Sequence, residues 1–490
     1  MITNQPRTYY FLLYPLLLVL TACGAAGPAQ GRLSTPARQT PDAAMSAAQP
    51  PVQVEHTPTT SRPPAEAVIR LNPAITYQTI SGWEATAQAG QAECPNFNAY
   101  KDNLFDQAVN DLGINRLRVE VRSGFENPTD YFGEFLRGQR PIGDWLDHRY
   151  SLVNDNDDPQ TTNPAGFQFS ELDHTIETVV LPVKERLEAR GETLFINVNY
   201  IDFATETDTH YGHPEEYAEF VLATYRHMQE KYGLTPDAWE VILEPDNSAW
   251  TGADIGQAIE ATAARLLAAG FTPRFIAPST TDMDNAWRYF DEMVGTAPGS
   301  LPYLAELSYH RYDGSQLAEI VRRAERYGLN TAMLEHIGSG YEDLHTDLTV
   351  GRNSAWQQFT LAYCETDNAA QYYWIDQSDP ARPVARLGEM SRFLRQYFHF
   401  IRRDAVRIEA ETANPAFDPV AFINPGGGFV VVVKAAEGGE FTIAGLPAGR
   451  YRTIWTTATQ TNVAGPEVTL TNGQLMPVSI PEAGVVTVVQ

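Results

Sequence analysis

Two glutamates each sit at the end of a short apolar run, and the runs are far apart in the chain. Residues 239–245 read WEVILEP and place Glu244 before a proline; residues 330–336 read NTAMLEH and place Glu335 before a histidine. A carboxylate at the end of a buried strand is penalised by desolvation unless it is paired, so it has few purely structural uses. Two of them facing one cavity supply what cleavage of a glycosidic bond requires: a carboxylate on one side and a carboxylic acid that protonates the leaving oxygen on the other. Taken singly, Glu244 also fits a solvated cap at the turn into Pro245, and Glu335 a structural ion pair with Arg118. It is the pair that points to chemistry.

The pair needs a scaffold that brings distant strand ends together. Between about residues 78 and 400, strand-like and helix-like segments alternate. Helical runs end in glycine and a strand follows closely, at Gly113, Gly191, Gly233, Gly270 and Gly328. Glycine takes the left-handed conformation past a helix end and turns the chain back. Tyr217, Phe220, Val221, Tyr225 and Met228 fall on one helical face after Pro214, with proline suited to a first turn. Strand candidates lie at 78–84, 114–121, 194–200, 239–244, 274–278, 305–310, 331–335 and 370–375. Eight strands with interleaved helices predict an α/β fold, a (β/α)8 TIM barrel over residues 77–401, in which active groups project from the C-terminal strand ends. A doubly wound sheet is the rival, but no GxGxxG follows the first strand. Glu244 would end the fourth strand and Glu335 the seventh, facing each other across the mouth. Carboxyl groups about 5–5.5 Å apart there would have the spacing of a retaining glycosidase.

Residues 402–490 change character: short β-rich runs such as 429–433 and 485–489, separated by Gly and Pro turns, predict an accessory all-β sandwich. At the other end, Arg7 precedes an apolar run from Phe11 to Leu20 that closes on LTACG. This is the pattern of an export signal rather than a spanning helix. The closing residues resemble a bacterial lipobox, with residues 1–23 as leader and Cys23 as the lipidated residue that ties the chain to a membrane or cell surface. Residues 24–65, rich in Ala, Pro, Thr, Ser and Gln, read as a disordered tether. Of the 3 cysteines, Cys94 and Cys364 then remain, and sequence does not show whether they meet. The formal charge of −26 argues against a nucleic-acid partner. No CxxC or HExxH spacing supports a metal, and no cofactor is expected. The acidic run 154–158, NDNDD, looks like a calcium-type loop but lacks the glycine and distal glutamate spacing of an EF-hand, and the reading preferred is a solvated loop near the rim.

The order and spacing of these segments resemble clan A glycoside hydrolases, family 30 most closely. Residues 77–83 (YQTISGW) resemble that family's entry into the first strand, and residues 115–119 (NRLRV) its second strand. Residues 307–312 (LSYHRY) resemble its sixth-strand His-x-Tyr, and residues 398–408 its passage into a β-sandwich. The likeness runs loosely over residues 68–490. It implies Glu244 as acid/base, Glu335 as nucleophile, Arg118 as support for the nucleophile, and His310 and Tyr312 as site residues. It also implies that residues 66–76 form a strand of the sandwich. One departure stands out: the family's Asn-Glu-Pro has Leu243 in place of asparagine. Leucine cannot hydrogen-bond a sugar 2-hydroxyl, so Asn247 or Asn199 would have to supply that contact, or the substrate differs there.

Further substrate-binding candidates carry two readings each. Trp374 is a sugar platform or barrel packing; Trp83 and Glu84 line a donor subsite or belong to the core; Asn199 and Tyr200 close the third strand in either role. The combined expectation is a retaining hydrolase of a β-linked glycan, tethered outside the cytoplasm. The alternative is a carbohydrate-binding surface lipoprotein that has lost turnover.

Overall fold

The computed structural model describes residues 67–203 and 210–490. The expected export signal, Cys23 and the expected tether lie outside the described residues. Strand β1 (Val68–Thr79) belongs to the C-terminal sheet. The barrel is built from β2 (Gly82–Thr86), β3 (Arg116–Arg122), β4 (Phe195–Ile201), β5 (Ala238–Glu240), β6 (Phe275–Asp282), β7 (Leu304–Asp313), β8 (Asn330–Glu335) and β9 (Asn353–Tyr363). All eight are parallel to their neighbours, and β9 pairs with both β8 and β2, which closes the ring.

Local sequence sets these elements. Helix Pro214–Tyr232 starts on its proline, buries Tyr217, Phe220, Val221, Tyr225 and Met228, and ends at Gly233 with φ 65°. Gly113, Gly191, Gly270 and Gly328 also have positive φ, so the turn back into each strand uses a conformation that side-chain-bearing residues rarely adopt. Two apolar layers result. Phe195, Ala238, Ile276, Ala332, Leu334 and Ala355 form a small cluster of their own. They come from alternating strand positions and fill the barrel interior. Larger side chains pack between strands and helices, where each fully buried one contributes about 1.5–3 kcal/mol.

The eighth ring strand differs from expectation. It is Asn353–Tyr363; the expected segment forms β10 (Gln371–Asp376), which pairs with the C-terminal half of β9 and with β11 (Val384–Leu387) outside the ring. β9 carries Asn353, Ser354, Gln357 and Gln358, which break the apolar run that marks a buried strand. Those polar groups are matched locally: Gln357 Nε2 donates to Thr86 Oγ1 at 2.9 Å and Gln358 Nε2 to the Ser339 carbonyl at 2.9 Å.

Strands β12 (Val406–Thr412), β13 (Phe417–Ile423), β14 (Phe429–Ala435), β15 (Gly439–Ala444), β16 (Gly449–Thr457), β17 (Val463–Ala464), β18 (Val468–Leu470), β19 (Met476–Ile480) and β20 (Gly484–Val489) form the curled second sheet. β1 lies between β12 and β15 in it. The valine run of β14 has two buried faces. Val431 and Val433 enter the sandwich core, while Val430 and Val432 pack with the barrel cluster. Such a strand shows no polar alternation because neither face meets water. Cys94 and Cys364 are disulfide-bonded, with Cα atoms 5.7 Å apart, and join the segment after β2 to the one after β9. Among the described residues no helix is long and apolar enough to cross a membrane.

Candidate active site

The inward face of the barrel carries two linked ion clusters. Deeper in, Arg116 donates through Nη1 and Nη2 to the two oxygens of Glu306, at 2.7 and 3.0 Å, and through Nε to Glu84 Oε2 at 2.7 Å. Nearer the mouth, Arg118 Nη1 donates to Glu335 Oε2 at 2.7 Å, and its Nε lies 3.1 Å from Glu240 Oε2, an ion pair without hydrogen-bond alignment. Asn197 Nδ2 bridges the two, 3.2 Å from Glu84 Oε1 and 2.9 Å from Glu240 Oε2. These groups are fully or almost fully buried. At such depth a charge is tolerated only when paired and hydrogen-bonded, so the network fixes the Arg118 guanidinium in one place.

Glu244 does not close a strand; it stands beyond the short β5. Its φ of 50° and ψ of 58° are left-handed, and the 3-10 turn Pro245–Asn247 begins on it. That conformation costs a non-glycine residue about 1–3 kcal/mol. Backbone bonds from Leu243 N to Tyr200 O (2.9 Å), Glu244 N to Ser279 O (3.1 Å) and Asn247 N to Glu244 O (3.0 Å) hold it. The side chain is thereby aimed into the mouth, where His310 Nδ1 lies 3.0 Å from Oε1 and Asn247 Nδ2 donates to Oε2 at 2.9 Å. Opposite, Tyr312 donates to Glu335 Oε1 at 3.0 Å. Ligand atoms of Glu244, His310 and Glu335 all lie within 4.8 Å of one another. Such a trio has the dimensions to hold a cation, but here the Arg118 guanidinium supplies the compensating charge.

Burial raises the His310 imidazole's cost of charging, yet the hydrogen bond and charge of Glu244 and the charge of Glu335 outweigh it and lift its pKa. Burial pushes Glu244 up, but His310, Arg118 and Asn247 together hold it below its usual value. For Glu335, burial reinforced by the Glu244 charge prevails over the pull of His310 and Arg118, and its pKa is raised. Tyr312 is pushed up by burial and by both carboxylates, so it remains a hydrogen-bond donor. The His310–Glu244 contact therefore favours a charged imidazole beside an ionised carboxylate.

Of the other sequence-derived candidates, Asn199 is fully buried beside Glu240, and both its amide atoms lack a partner. Asn247 is committed to Glu244 and to Thr281 Oγ1 at 2.8 Å. Tyr200 points away from the barrel interior, among His210, Tyr217 and Phe220, with its hydroxyl 2.7 Å from His210 Nδ1. Trp83 stacks on Phe398 at 4.5 Å and donates to the Ile401 carbonyl, which makes it packing between barrel and helix. Glu84 lies in the deeper ion cluster. Trp374 pairs through β10 with Tyr363 and Arg386, half-buried and outside the ring. Glu240 was not anticipated. Its signal was present: a carboxylate inside an apolar run, on the same strand parity as Glu244.

No protein-family profile and no curated protein matches the chain in sequence. Solved structures do. The catalytic domain of the family 30 xylanase C from Talaromyces cellulolyticus superposes with a TM-score of 0.63 at 15% identity, covering 86% of this chain and 99% of that one. A family 30 endoxylanase from Clostridium papyrosolvens gives 0.60 at 16% identity, with 86% and 99% covered. An endo-β1,6-glucanase gives 0.60 at 14%, with 86% and 94% covered. The chain thus has the barrel-plus-sandwich fold of family 30 glycoside hydrolases.

Proposed function

We propose that the protein is a retaining glycoside hydrolase acting on a β-linked glycan by double displacement. The observation that carries this is that one carboxylate oxygen of Glu244 and one of Glu335 lie within 4.8 Å of each other, each carboxylate with its own set of donors. A spacing near 5 Å suits direct attack by a carboxylate, whereas an inverting pair stands about 6.5–9.5 Å apart to admit a water. Glu335, oriented by Arg118 and Tyr312, attacks the anomeric carbon as its carboxylate. Glu244 draws a proton across its 3.0 Å contact with His310 and passes it to the departing glycosidic oxygen, which leaves Glu244 a carboxylate. The covalent glycosyl ester is then hydrolysed: Glu244 takes a proton from water, the hydroxyl adds to the anomeric carbon, and Glu335 leaves as a carboxylate. Asn199, with an uncommitted amide beside the site, is the better replacement for the contact that Leu243 cannot make.

Leu243 also supports a second reading, a carbohydrate-binding protein of little turnover. One experiment separates them: a panel of nitrophenyl β-glycosides, xylans, β-glucans and galactans, with the first-formed anomer followed by proton NMR. Turnover with a β-anomeric product is expected. A first-formed α-anomer refutes the double displacement, and binding without turnover establishes the second reading. The sequence supports attachment through a lipid on Cys23; Cys23→Ala should move the protein from the membrane to the soluble fraction, and retention at the membrane would refute the anchor.

A further inference from the structure

Inside the barrel, two arginines stand against four carboxylates: Arg116 is shared by Glu84 and Glu306, and Arg118 by Glu240 and Glu335. All six residues are at most 5% exposed. A buried carboxylate needs a counter-charge, so each guanidinium is divided between two claimants. Glu240 is fully buried on β5 and takes no part in the double displacement.

Its place is set by strand register. Asn197 on β4 pairs with Arg118 on β3, and its Nδ2 donates to Glu240 Oε2 at 2.9 Å. The same oxygen lies 3.1 Å from Arg118 Nε. Glu240 Oε1 is buried without a hydrogen-bond partner, and among the described residues Arg118 is the one cation paired with this carboxylate. On its other side, Arg118 Nη1 donates to Glu335 Oε2 at 2.7 Å. One guanidinium thus bridges the nucleophile and a carboxylate that does not react.

An arginine that served Glu335 alone would hold it low in the carboxylate range, where it is a weak nucleophile; a guanidinium beside a carboxylate lowers its pKa by about 1–3 units. Glu240 acts on Arg118 more strongly than Glu335 does, and Glu120, itself paired with Arg122 at 2.6 Å, acts less. Of the other groups facing Glu335, the His310 charge favours its ionised form, the Glu244 charge opposes it, and Tyr312 donates to it. Facing Glu240 across Asn197 is Glu84, with Arg116 and Glu306 behind it. We propose that Glu240 is a positioning residue of the reaction, which takes up the charge of Arg118 so that this guanidinium holds Glu335 in place without neutralising it. The inference rests on Glu335 being the nucleophile. A neutral side chain at position 240 would put the whole Arg118 charge on Glu335, making it a weaker attacking group and a better leaving group.

The test is the titration of Glu335 itself, followed by carbon NMR in the full chain labelled at glutamate side-chain carboxyls and assigned by the signal lost in Glu335→Gln. Glu240→Gln should move the midpoint down by about one pH unit. Glu240→Asp, which keeps the charge, should stay nearer the native value. If Glu240→Gln does not fold, Glu240→Met, of similar volume and needing no hydrogen bond, carries the comparison. On a nitrophenyl glycoside, the acidic limb of kcat/KM should move down with the midpoint and its maximum should fall, while hydrolysis of the glycosyl-enzyme should not slow. A midpoint that stays or rises in the neutral variants, an equal shift in Glu240→Asp, or slower hydrolysis of the glycosyl-enzyme overturns the proposal. Turnover absent from the native protein counts against the hydrolase reading; the midpoint is read without turnover and decides the division of charge by itself.

Discussion

Replacing His310 with asparagine should narrow the pH–activity profile from both sides. Asparagine keeps a donor toward Glu244 but cannot carry charge. On the proposed mechanism the acidic limb belongs to Glu335, whose pKa is raised, so activity climbs with pH through a value above the ordinary carboxylate range. The alkaline limb belongs to the proton on the His310–Glu244 pair; the imidazole is raised above 6.5, so activity falls only beyond that value. Removing the cation has two consequences. Glu335 loses an attractive charge and its pKa rises further, moving the acidic limb up. The catalytic proton is left on Glu244 alone, moving the alkaline limb down. A hydrogen bond to a charged group is worth about 1.5–3 kcal/mol, and about 1.4 kcal/mol is one pKa unit, so the alkaline limb, which rests on the His310–Glu244 hydrogen bond, should move by roughly one to two units, while the acidic limb, where His310 acts on Glu335 through charge alone, moves in the stated direction. The assay is kcat/KM against pH on a nitrophenyl glycoside, with folding checked by Tm. Limbs that stay in place while the maximum falls would show that His310 only positions Glu244 and stores no catalytic proton.

Other perturbations follow from the same geometry. Glu244→Ala should lose less in kcat/KM on substrates with good leaving groups than on poor ones, where the loss is about 10²–10⁴-fold; equal losses in kcat/KM on all would contradict an acid role. Arg118→Met leaves Glu240 and Glu335 buried without their shared cation, so a stability loss of about 3–5 kcal/mol is expected in denaturant titration, and a change within error would contradict the network. Leu243→Asn should raise kcat/KM on substrates with a free 2-hydroxyl by more than on their 2-deoxy counterparts; equal effects would remove Leu243 from the sugar site. Reduction of Cys94–Cys364 should lower stability by about 2–5 kcal/mol, since the bond closes a long loop.

Much of this was legible because of local physics. Glycine at five helix ends marked the βα rhythm, and the apolar run that ends in Glu335 marked a strand end at the mouth. What was missed follows from interactions between strands. β9 hides its identity in glutamines, which are inexpensive to bury only because Thr86 and the Ser339 carbonyl receive them. Trp83 and Tyr200 follow or end strands as site residues do, but strand parity turns them toward the helices. Glu240 shows the converse: its parity placed it inside, and only its pairing with Arg118 reveals why a charge is there. The φ of 50° at Glu244 comes from backbone partners in β4 and β6 and has no signature in its own segment.

The division of labour between the two glutamates is tested most directly by Glu335→Ala with an activated β-glycoside and azide. The small anion fits the space that the carboxylate vacates and attacks the same face of the sugar. An enzyme silent alone, yet forming the α-glycosyl azide when azide is added, is the predicted result. Undiminished hydrolysis by the variant, or a β-glycosyl azide as the product, would contradict the assignment of Glu335 as the nucleophile.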